Sequence, residues 1–528
     1  MSGSVILRYV IAGFILLGLA QPAFAEKIRI ISTNDMHSYL RPVFYRTQDE
    51  PRPWGIQAIE GDFLQKSKIE GKIGGMAYAA SVINSLREGR EDSTLLVDCG
   101  DTWHGSGLSA FDRGVSMVKI MNAMKYDAMA PGNWEFIYDR DHFLDLVDQS
   151  EYSVVAFNLN DKDWGDPVLD QYVIKEVGGL RVAVVGMTYP WTALTSAVTG
   201  AAQWWKFGIQ KEEAEELIAQ IREAEDPDLV LFISHGGLGY DQKFARQVDG
   251  IDVLASGHTH NAIFDPIIWN NTIIYEAGAH AEYVSALDIE VENKQVVSYD
   301  YQLVKVNQSH VKPDPEIQKL IDEAYAPHEA KLSEVIGVSE GVFYRRDYWQ
   351  STLGNLITDA LRERMGTDIS LFPAWRYGAT LMPGEITVEN IYNIVPTGGP
   401  ISTFSMDGKQ IKMLLENIVN GVAGADPFAR VGGDMIRFSG LKLQYDLDNK
   451  RGERITSLTL TDGTPIEDKK KYSVASVSTR FQNNPLFGAT DVVDTDRLFA
   501  EELIAYIKAN NPIKAALDDR IRPRREDG

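Results

Sequence analysis

The sequence predicts an α/β fold divided into two domains, and three observations support this prediction. The chain has 528 residues, which is too long for one ordinary hydrophobic core. Its first half alternates short apolar runs with stretches of helical periodicity, the pattern of a layered α/β domain. The apolar runs end in Gly, Asp, Asn or His, so polar side chains are expected beyond the carboxyl ends of buried strands.

Seven apolar runs in the first half are predicted strands, since they are rich in Val, Ile and Leu like strands buried on both faces. They are residues 27–33, 94–101, 152–159, 180–188, 228–237, 251–260 and 271–278. The stretches "GGMAYAASVINSLREG" and "QKEEAEELIAQIREAE" lie between them and are predicted helices.

A change of pattern near residue 306 marks the predicted domain boundary. In "PEIQKLIDEAYAP", Ile317, Leu320 and Ile321 have helical spacing and Pro315 stands at the start, which predicts a bridging helix. We therefore expect a first domain over residues 26–305, a linker with this helix over 306–340, and a second domain over 341–528.

The N-terminal segment predicts export. Arg8 precedes an apolar run over residues 9–20, and Ala23-Phe24-Ala25 follows, which together form the pattern of a secretory signal peptide. We expect residues 1–25 to be removed and the mature protein to be periplasmic, with no stable membrane anchor after cleavage. The alternative is that this segment stays as an uncleaved anchor.

The net charge disfavours a nucleic-acid-binding function, and the cysteine content excludes an intramolecular disulfide. The net charge is −23, which disfavours a broad surface for nucleic acid because phosphates would not be neutralised. Cys99 is the single cysteine, so the chain can form no intramolecular disulfide. Its place in "TLLVDCGD" favours a small buried side chain over a nucleophile.

Polar side chains that could bind metal follow five segments of the first half. They are Asp35, His37, Asp101, Asn133, His235, His258 and His260. Aspartate, histidine and asparagine without a thiolate suit Mn²⁺, Zn²⁺ or Fe²⁺. These seven residues are too many for one ion and fit a pair of ions that share a carboxylate. Any single motif of this set could equally be a hydrogen-bonded structural pair.

With these motifs in this order, the chain resembles the calcineurin-like metallophosphoesterases, specifically the two-domain 5'-nucleotidase group. D-x-H, G-D, G-N-x-E, S-H-x-G and G-H-T-H all match, and "STLGNLITDAL" is similar to that group's S-N-L-G-N-L-x-x-D-A. The resemblance implies a four-layer sandwich followed by a smaller α+β C-terminal domain that contacts substrate. It implies two metal ions, manganese by family, with Asp101 bridging. The ligands of one would be Asp35, His37, Asp101 and His260, and those of the other Asp101, Asn133, His235 and His258.

Trp134 departs from the nucleotidases, which have histidine there. Indole cannot deliver a proton near neutral pH, so an enzyme with Trp134 should hydrolyse phosphomonoesters slowly. Tryptophan at this position, "GDTWHGSG" and "FPAWRYGATLMPGEITVENIYN" make the chain similar to the SoxB group of thiosulfohydrolases. Asn133 is the nucleotidase residue, where the SoxB group usually has histidine.

The SoxB resemblance implies hydrolysis of the sulfonate from a cysteine-linked S-thiosulfonate on a sulfur-carrier protein (SoxYZ-like), with release of sulfate. The leaving group is then a persulfide sulfur, which leaves readily without a proton. Arg376 is the first predicted contact to the sulfonate oxygens and Arg437 the second, since arginine suits planar oxyanions. The alternative for each is a structural ion pair. Trp134 would pack against the arm of the carrier or fill the space of the missing histidine.

Further residues have weaker predicted roles. We expect Glu135 to orient ligands, and Trp375, Tyr377 and Phe428 to form an aromatic wall or to pack between the domains. His104 could be a proton shuttle or a supporting residue, and His280 could reach the site mouth. The competing functions are a periplasmic 5'-nucleotidase or related phosphoesterase, and a weakly active homologue that binds metal or carrier.

Overall fold

The computed structural model of the protein describes residues 26–45, 67, 69–195, 200–345, 349–397, 399–422, 424, 426–429, 434–477 and 488–523. The predicted signal peptide, residues 1–25, lies outside these residues and stays a prediction. Within the described part of the chain, no helix combines the length and apolar character needed to cross a bilayer.

The described residues of the first domain form fourteen strands: β1 Glu26–Thr33, β2 Thr94–Asp98, β3 Ala128–Met129, β4 Ser153–Val154, β5 Asn160–Asp161, β6 Tyr172–Val177, β7 Leu180–Met187, β8 Trp205–Lys206, β9 Leu229–Ser234, β10 Val253–Ser256, β11 Ile267–Trp269, β12 Thr272–Glu276, β13 Tyr283–Glu292 and β14 Gln295–Lys305. The described helices of this domain are α1 Met76–Arg87, α2 Ser109–Asp112, α3 Val115–Ala123, α4 Arg140–Gln149, α5 Thr192–Thr195, α6 Lys211–Ala224 and α7 Leu238–Ala245, with single 3-10 turns at Glu91–Ser93, Glu135–Ile137 and Ala201–Gln203.

Two six-stranded sheets form the centre of the first domain. Their strand orders are β14-β13-β1-β2-β3-β4 and β11-β12-β10-β9-β7-β6. Four strands of each sheet run parallel, β1 to β4 in one sheet and β7, β9, β10 and β12 in the other. The carboxyl ends of the parallel strands in each sheet therefore meet at one edge, where the predicted ligands follow them.

The two sheets pack face to face, with helices on both outer surfaces. Alternate residues of each inner strand point inward, such as Ile28 and Ile30 of β1 against Leu229 and Leu231 of β9. The residues between them face helices: Ile31 joins a core with α1 and α3, and other side chains of β9 pack on α6 and α7. The predicted four-layer sandwich is confirmed, and burial on both faces explains the continuous apolar runs.

The described residues of the second domain form ten strands: β15 Val335–Ser339, β16 Ile369–Phe372, β17 Gly384–Thr387, β18 Pro400–Asp407, β19 Arg437–Ser439, β20 Leu441–Tyr445, β21 Ile455–Leu460, β22 Lys471–Ser476, β23 Thr490–Leu498 and β24 Ile521–Pro523. The helices from the linker onward are α8 Pro315–Tyr325, α9 Glu329–Leu332, α10 Thr352–Met365, α11 Val388–Ile394, α12 Gly408–Val422 and α13 Phe499–Ala509, with a 3-10 turn at Pro427–Ala429. A five-stranded sheet of order β19-β16-β22-β18-β23 is its largest.

Two segments differ from the sequence-based prediction. The predicted strand over 152–159 is only the two-residue β4, because Ala156 N then donates to Asp170 O and Phe157 N to Gly186 O, which takes the chain towards the other sheet. The strand β15 lies inside the predicted linker but pairs with β17 of the second domain. The second domain therefore begins near residue 335 and not at 341.

The bridging helix α8 begins where the sequence predicts. Pro315 is its first residue, and the Asp314 side chain accepts hydrogen bonds from the N–H groups of Glu316 and Ile317. These N–H groups have no partner within the helix, so the cap stabilises its first turn.

Hydrogen bonds join the two domains beside the sandwich edge. The Tyr39 hydroxyl donates to Asn393 O at 2.5 Å and accepts from Ala379 N at 3.1 Å. Thr380 N donates to Phe44 O at 2.7 Å. The loop after β1, which carries two predicted metal ligands, is thus attached directly to the second domain.

Candidate metal centre

Six of the seven predicted metal ligands form two groups at the sandwich edge. Asp35, His37 and His260 make one group, and Asp101, His235 and His258 make the other, with the ligand atoms of each within 4.8 Å of one another. Asn133, the seventh, is buried between Gly132 and Trp134, which both approach Asp101.

The two groups adjoin through Asp101. Its Oδ2 lies 3.1 Å from His235 Nε2 and 3.9 Å from His37 Nε2, so it reaches a member of each group. Asp35 Oδ1 lies 3.0 Å from His260 Nε2. This geometry agrees with the bridging position that the sequence comparison implies for Asp101.

The residues present fit a pair of divalent cations. His37 Nδ1 donates to His104 O at 3.0 Å and His235 Nδ1 donates to Cys99 O at 2.6 Å, which leaves each Nε2 lone pair facing the cluster. The buried atoms Asp35 Oδ1 and His235 Nε2 make no hydrogen bond. Buried polar atoms without partners are costly in a folded protein, and a bound cation would satisfy both.

The electrostatics of the cluster also favour cations. Burial opposes a positive charge on His235, but the carboxylates of Asp101 and Asp35 outweigh it and raise the pKa of His235 to about 10. At His37 burial dominates and holds the pKa well below its usual value, although Asp101 is near.

Backbone strain is concentrated at the ligands. Asp35, His37, Asp101, His258 and His260 all have positive φ, between 47° and 73°. L-residues with a Cβ seldom adopt this left-handed conformation, which costs about 1–3 kcal/mol per residue when tertiary contacts impose it. Such strain at five of seven predicted ligands indicates that the surrounding fold holds them in place for function.

Gly132 allows the loop after β3 to approach Asp101. A Cβ at this position would lie 2.3 Å from Asp101 Oδ1, far inside van der Waals contact. The N–H of Trp134 donates to the same oxygen at 2.8 Å. The segment "PGNW" therefore supports the predicted bridging carboxylate through its backbone, in addition to offering the Asn133 side chain.

Glu135 ties the loops after β2 and β3 together. Its buried carboxylate accepts four backbone N–H bonds, from Asp101 and Gly132 at one oxygen and from Thr102 and Trp103 at the other, at 2.6–3.0 Å. Burial and the Asp101 carboxylate raise the pKa of Glu135 to about 7, whereas the four donors favour its ionised form. The structure places Glu135 as a residue that orients the backbone of the ligands.

The two predicted arginines lie in different places. Arg376 is half-buried at the cluster, where Nε donates to His258 O at 3.1 Å and Nη2 lies 2.7 Å from His258 Nε2. Arg437 is buried at the start of β19, and the Cβ position of Gly354 in α10 would lie 2.8 Å from its Cδ. Burial, together with the neighbouring Arg437 cation, lowers the pKa of Arg345 to about 10. Arg345 has no feature in the sequence that would single it out.

Trp134 stands in an aromatic cluster beside the metal ligands. Its ring centroid lies 5.1 Å from that of Tyr377 and 5.5 Å from that of Trp375, and these last two rings stack at 5.5 Å. Trp134 is 7% exposed. Of the two roles expected for Phe428, the structure shows packing between the domains: its ring lies on Tyr240 of α7, because the 3-10 turn that carries it contacts that helix.

His104 and His280 support the cluster from inside. His104 is buried, and burial lowers its pKa to about 3. His280 was expected at the site mouth but is fully buried, 5.5 Å from the His37 ring and 4.0 Å from the Tyr45 ring between centroids. It follows β12, which lies beside β10, the strand that His258 and His260 follow, so its strand end was the correct signal.

Tyr189 and Cys99 complete the surroundings. Tyr189 stacks on His258 at 3.9 Å between centroids, and sequence reasoning missed it although it follows β7 at the same sandwich edge. Cys99 is buried, as predicted, and burial raises the pKa of its thiol well above the usual value. The thiol is therefore not suited to act as a nucleophile.

Comparison with known families agrees with the two domains. Residues 28–262 match the family described as "Calcineurin-like phosphoesterase", and residues 335–490 match that described as "5'-nucleotidase, C-terminal domain".

Two solved structures from Thermus thermophilus are similar over nearly the whole chain. The sulfate thiohydrolase SoxB, solved in complex with glycerol, has 25% sequence identity and a TM-score of 0.86, covering 95% of this chain and 97% of that one. A 5'-nucleotidase precursor from the same organism has 22% identity and a TM-score of 0.80, covering 94% and 99%. At 22% identity, the similarity to the 5'-nucleotidase precursor shows a shared fold only.

Sequence relatives include nucleotide-processing enzymes. Endonuclease YhcR of Bacillus subtilis (strain 168) is 25% identical over 537 residues, which are 94% of this chain but 41% of that protein. The chain likewise spans 30% of the trifunctional nucleotide phosphoesterase protein YfkN of the same organism. The snake venom 5'-nucleotidase of Crotalus adamanteus is 24% identical over 512 residues, covering 86% of this chain and 81% of that one.

Proposed function

We propose that this chain is a metal-dependent hydrolase of the 5'-nucleotidase and calcineurin-like phosphoesterase superfamily, whose family models match residues 335–490 and 28–262, and that within this superfamily it is a thiosulfohydrolase. The substrate is a thiosulfonate bound to the cysteine of a sulfur-carrier protein, and the product is sulfate. The observation that carries this proposal is the buried Trp134 ring beside the ligand cluster, where the reaction of a phosphomonoester would call for a proton donor.

The leaving group explains why a tryptophan is tolerated. The oxygen of water bonds to the sulfonate sulfur and its protons pass to solvent, the bond from that sulfur to the outer sulfane sulfur breaks, and the electron pair stays on the persulfide of the carrier. A sulfur leaving group of low pKa departs without a proton. An alkoxide does not, so a ring that cannot supply a proton slows phosphomonoester hydrolysis more than sulfate release.

The cluster supplies the remaining requirements. The ligands of the candidate centre would hold two divalent cations, manganese first with zinc and iron as alternatives, and such cations lower the pKa of water and offset charge at the attacking and leaving atoms. Arg376 would bind the sulfonate oxygens, since its half-buried guanidinium already lies at His258. Arg437, buried next to Arg345, is the second candidate for an anion contact.

The surroundings proposed for this reaction are periplasmic. The apolar run over residues 9–20 and the Ala-Phe-Ala that follows support export by a cleaved signal peptide. The proposed partner is the carrier protein that presents the thiosulfonate. A net charge of −23 supports a partner other than nucleic acid.

A second candidate is a periplasmic 5'-nucleotidase or related phosphoesterase. Asn133 favours it, because asparagine is the nucleotidase residue at this position, and so does the similarity to the venom 5'-nucleotidase. In that case the stacked rings of Trp375 and Tyr377 would contact the base of a nucleotide.

One assay separates the candidates. Mature protein loaded with Mn²⁺ is offered AMP, a generic phosphomonoester and a thiosulfonated carrier peptide, and the release of phosphate and sulfate is measured. Sulfate release with weak phosphate release is expected. Robust AMP hydrolysis without sulfate would refute the proposal, and Asp101→Asn serves as the control that should abolish either activity. If neither substrate turns over while Mn²⁺ and the carrier still bind, the protein is a binding homologue.

A further inference from the structure

A chain of four hydrogen-bonding side chains crosses the boundary between the domains beside the candidate centre. Tyr377 of the second domain bonds through its hydroxyl to Thr397 Oγ1. Thr397 Oγ1 lies 2.9 Å from His104 Nε2 of the first domain, and His104 Nδ1 lies 3.1 Å from the Tyr138 hydroxyl. The three residues from Tyr377 to His104 are buried, with Thr397 the most exposed at 7%, so water does not substitute for these partners.

The bonds of the chain take one consistent direction when the single hydroxyl hydrogen of Tyr138 is placed on its carbonyl neighbours. The Tyr138 hydroxyl donates to the carbonyl oxygens of Trp103 and Ser109, both at 3.2 Å, and a carbonyl can only accept. Tyr138 therefore accepts from His104, and the hydrogen of this neutral ring is on Nδ1. His104 Nε2 is then an acceptor, so it takes the hydrogen of Thr397, and Thr397 in turn accepts from Tyr377.

The fixed direction has a consequence for the centre. The hydroxyl hydrogen of Tyr377 points to Thr397 and away from the ligands, so Tyr377 is not oriented to protonate a leaving group. Its ring instead lies against the ring of His37, with centroids 4.5 Å apart and planes 17° from parallel. On its other sides Tyr377 contacts Trp134 and Trp375.

We propose that His104 is a positioning residue, which acts through Thr397 to hold the Tyr377 ring against the predicted ligand His37. The role of proton shuttle does not fit, because the Nε2 lone pair is taken by Thr397 and the Nδ1 hydrogen by Tyr138. The same chain sets the position of the aromatic cluster relative to the ligands. The position of Tyr377 matters for either candidate substrate, so the proposal goes beyond the choice between sulfate and phosphate release.

Thr397 offers the sharpest test, since Thr397→Val keeps the shape of the side chain and removes its hydrogen bonds, and Thr397→Ser keeps the hydroxyl. In the Mn²⁺-loaded protein, Thr397→Val is expected to lower kcat on the order of tenfold with KM changed less than about twofold, because a small misplacement at a site is enough for such a loss. Thr397→Ser should stay near wild type. The assay uses both AMP and the thiosulfonated peptide.

A double variant separates positioning from two unrelated defects. His104→Ala should lose about as much as Thr397→Val, and His104→Ala/Thr397→Val should lose no more than the worse single variant, because either change breaks the same chain. His104→Gln retains an acceptor and should recover part of the activity. Losses that multiply, or a Thr397→Ser variant as impaired as Thr397→Val, would overturn the proposal.

A spectroscopic measurement needs no turnover. In protein labelled with ¹⁵N-histidine, the imidazole signals of His104 are identified as those that disappear in His104→Gln. These signals should show hydrogen on Nδ1 and none on Nε2. Thr397→Val should shift the Nε2 signal. Hydrogen on Nε2 would overturn the assigned direction of the chain and the exclusion of the proton-shuttle role, and an Nε2 signal unchanged in Thr397→Val would overturn the positioning role, whatever the substrate turns out to be. If His104→Ala does not fold, the comparison of Thr397→Val with Thr397→Ser decides, since each changes the side chain by one group.

Discussion

Replacing Glu135 with glutamine tests how the loops of the centre are held. The glutamate accepts two backbone N–H bonds at each carboxylate oxygen, from Thr102 and Trp103 at Oε1 and from Asp101 and Gly132 at Oε2. Glutamine has nearly the same shape but one acceptor oxygen. Whichever way its amide is turned, its NH₂ group faces two N–H donors that have lost their acceptor.

The size of the effect follows from this count. Each buried donor left without a partner costs about 1–3 kcal/mol, so two of them cost about 2–6 kcal/mol. That is a large share of the roughly 5–15 kcal/mol that typically separates folded from unfolded protein. For domains of roughly 150–250 residues, each kcal/mol of lost stability lowers the temperature of the unfolding midpoint by about 2–4 °C. The midpoint of Glu135→Gln should therefore fall by at least about 4 °C.

Thermal unfolding of the metal-free protein, followed by circular dichroism, measures this shift. Glu176→Gln is the matched control, because Glu176 is 65% exposed and lies 3.5 Å from Arg181 at the surface. Exposed pairs of this kind contribute less than about 1 kcal/mol. A Glu135→Gln midpoint within about 1 °C of wild type would refute the role assigned to these hydrogen bonds, since the predicted shift is several times larger.

Three further outcomes are expected. Gly132→Ala should abolish Mn²⁺ binding in equilibrium dialysis, since its Cβ would lie 2.3 Å from the bridging carboxylate, whereas Gly421→Ala, with no atom within 4 Å of its Cβ, should bind normally. Trp134→His should raise phosphatase activity more than it alters sulfate release, and equal loss of both would contradict the leaving-group argument. The hydrogen bond to Arg497 lowers the pKa of Glu502 to about 2, so this carboxylate stabilises the fold above its unfolded pKa of about 4.3 and the contribution is lost as the pH falls through about 2. Denaturant unfolding should therefore show wild type more stable than Glu502→Gln at about pH 7, with the gap closing between about pH 4 and about pH 2.

The sandwich and its ligand cluster could be predicted because their signals are local. The apolar runs at 94–101 and 228–237 are buried on both faces, and each carries a ligand at its carboxyl end, Asp101 or His235. Parallel strands bring such ends together without further information. The same rule would have found Tyr189 and placed His280, which also follow strands at this edge.

The rest depends on contacts between distant segments. No pattern near Thr397 or His104 shows that they bond to each other across 293 positions of the chain. The sequence could not decide between the two roles expected for Phe428, because its neighbours in the sequence do not reveal that the turn packs on α7. The left-handed backbone at Asp35 is likewise imposed by tertiary structure, since aspartate alone does not require it.

The hydrogen bonds between the domains also bear on how such proteins can recombine during evolution. On the second-domain side, the groups that meet Tyr39 and Phe44 are backbone atoms, namely Asn393 O, Ala379 N and Thr380 N. A backbone partner does not depend on which side chain is present. A second domain from a distant homologue could therefore keep these three bonds despite low identity, provided that its loops bring the same peptide groups to the same points. The bonds of Thr397 to His104 and of Arg376 to His258 differ, because they are kept only if those side chains are kept.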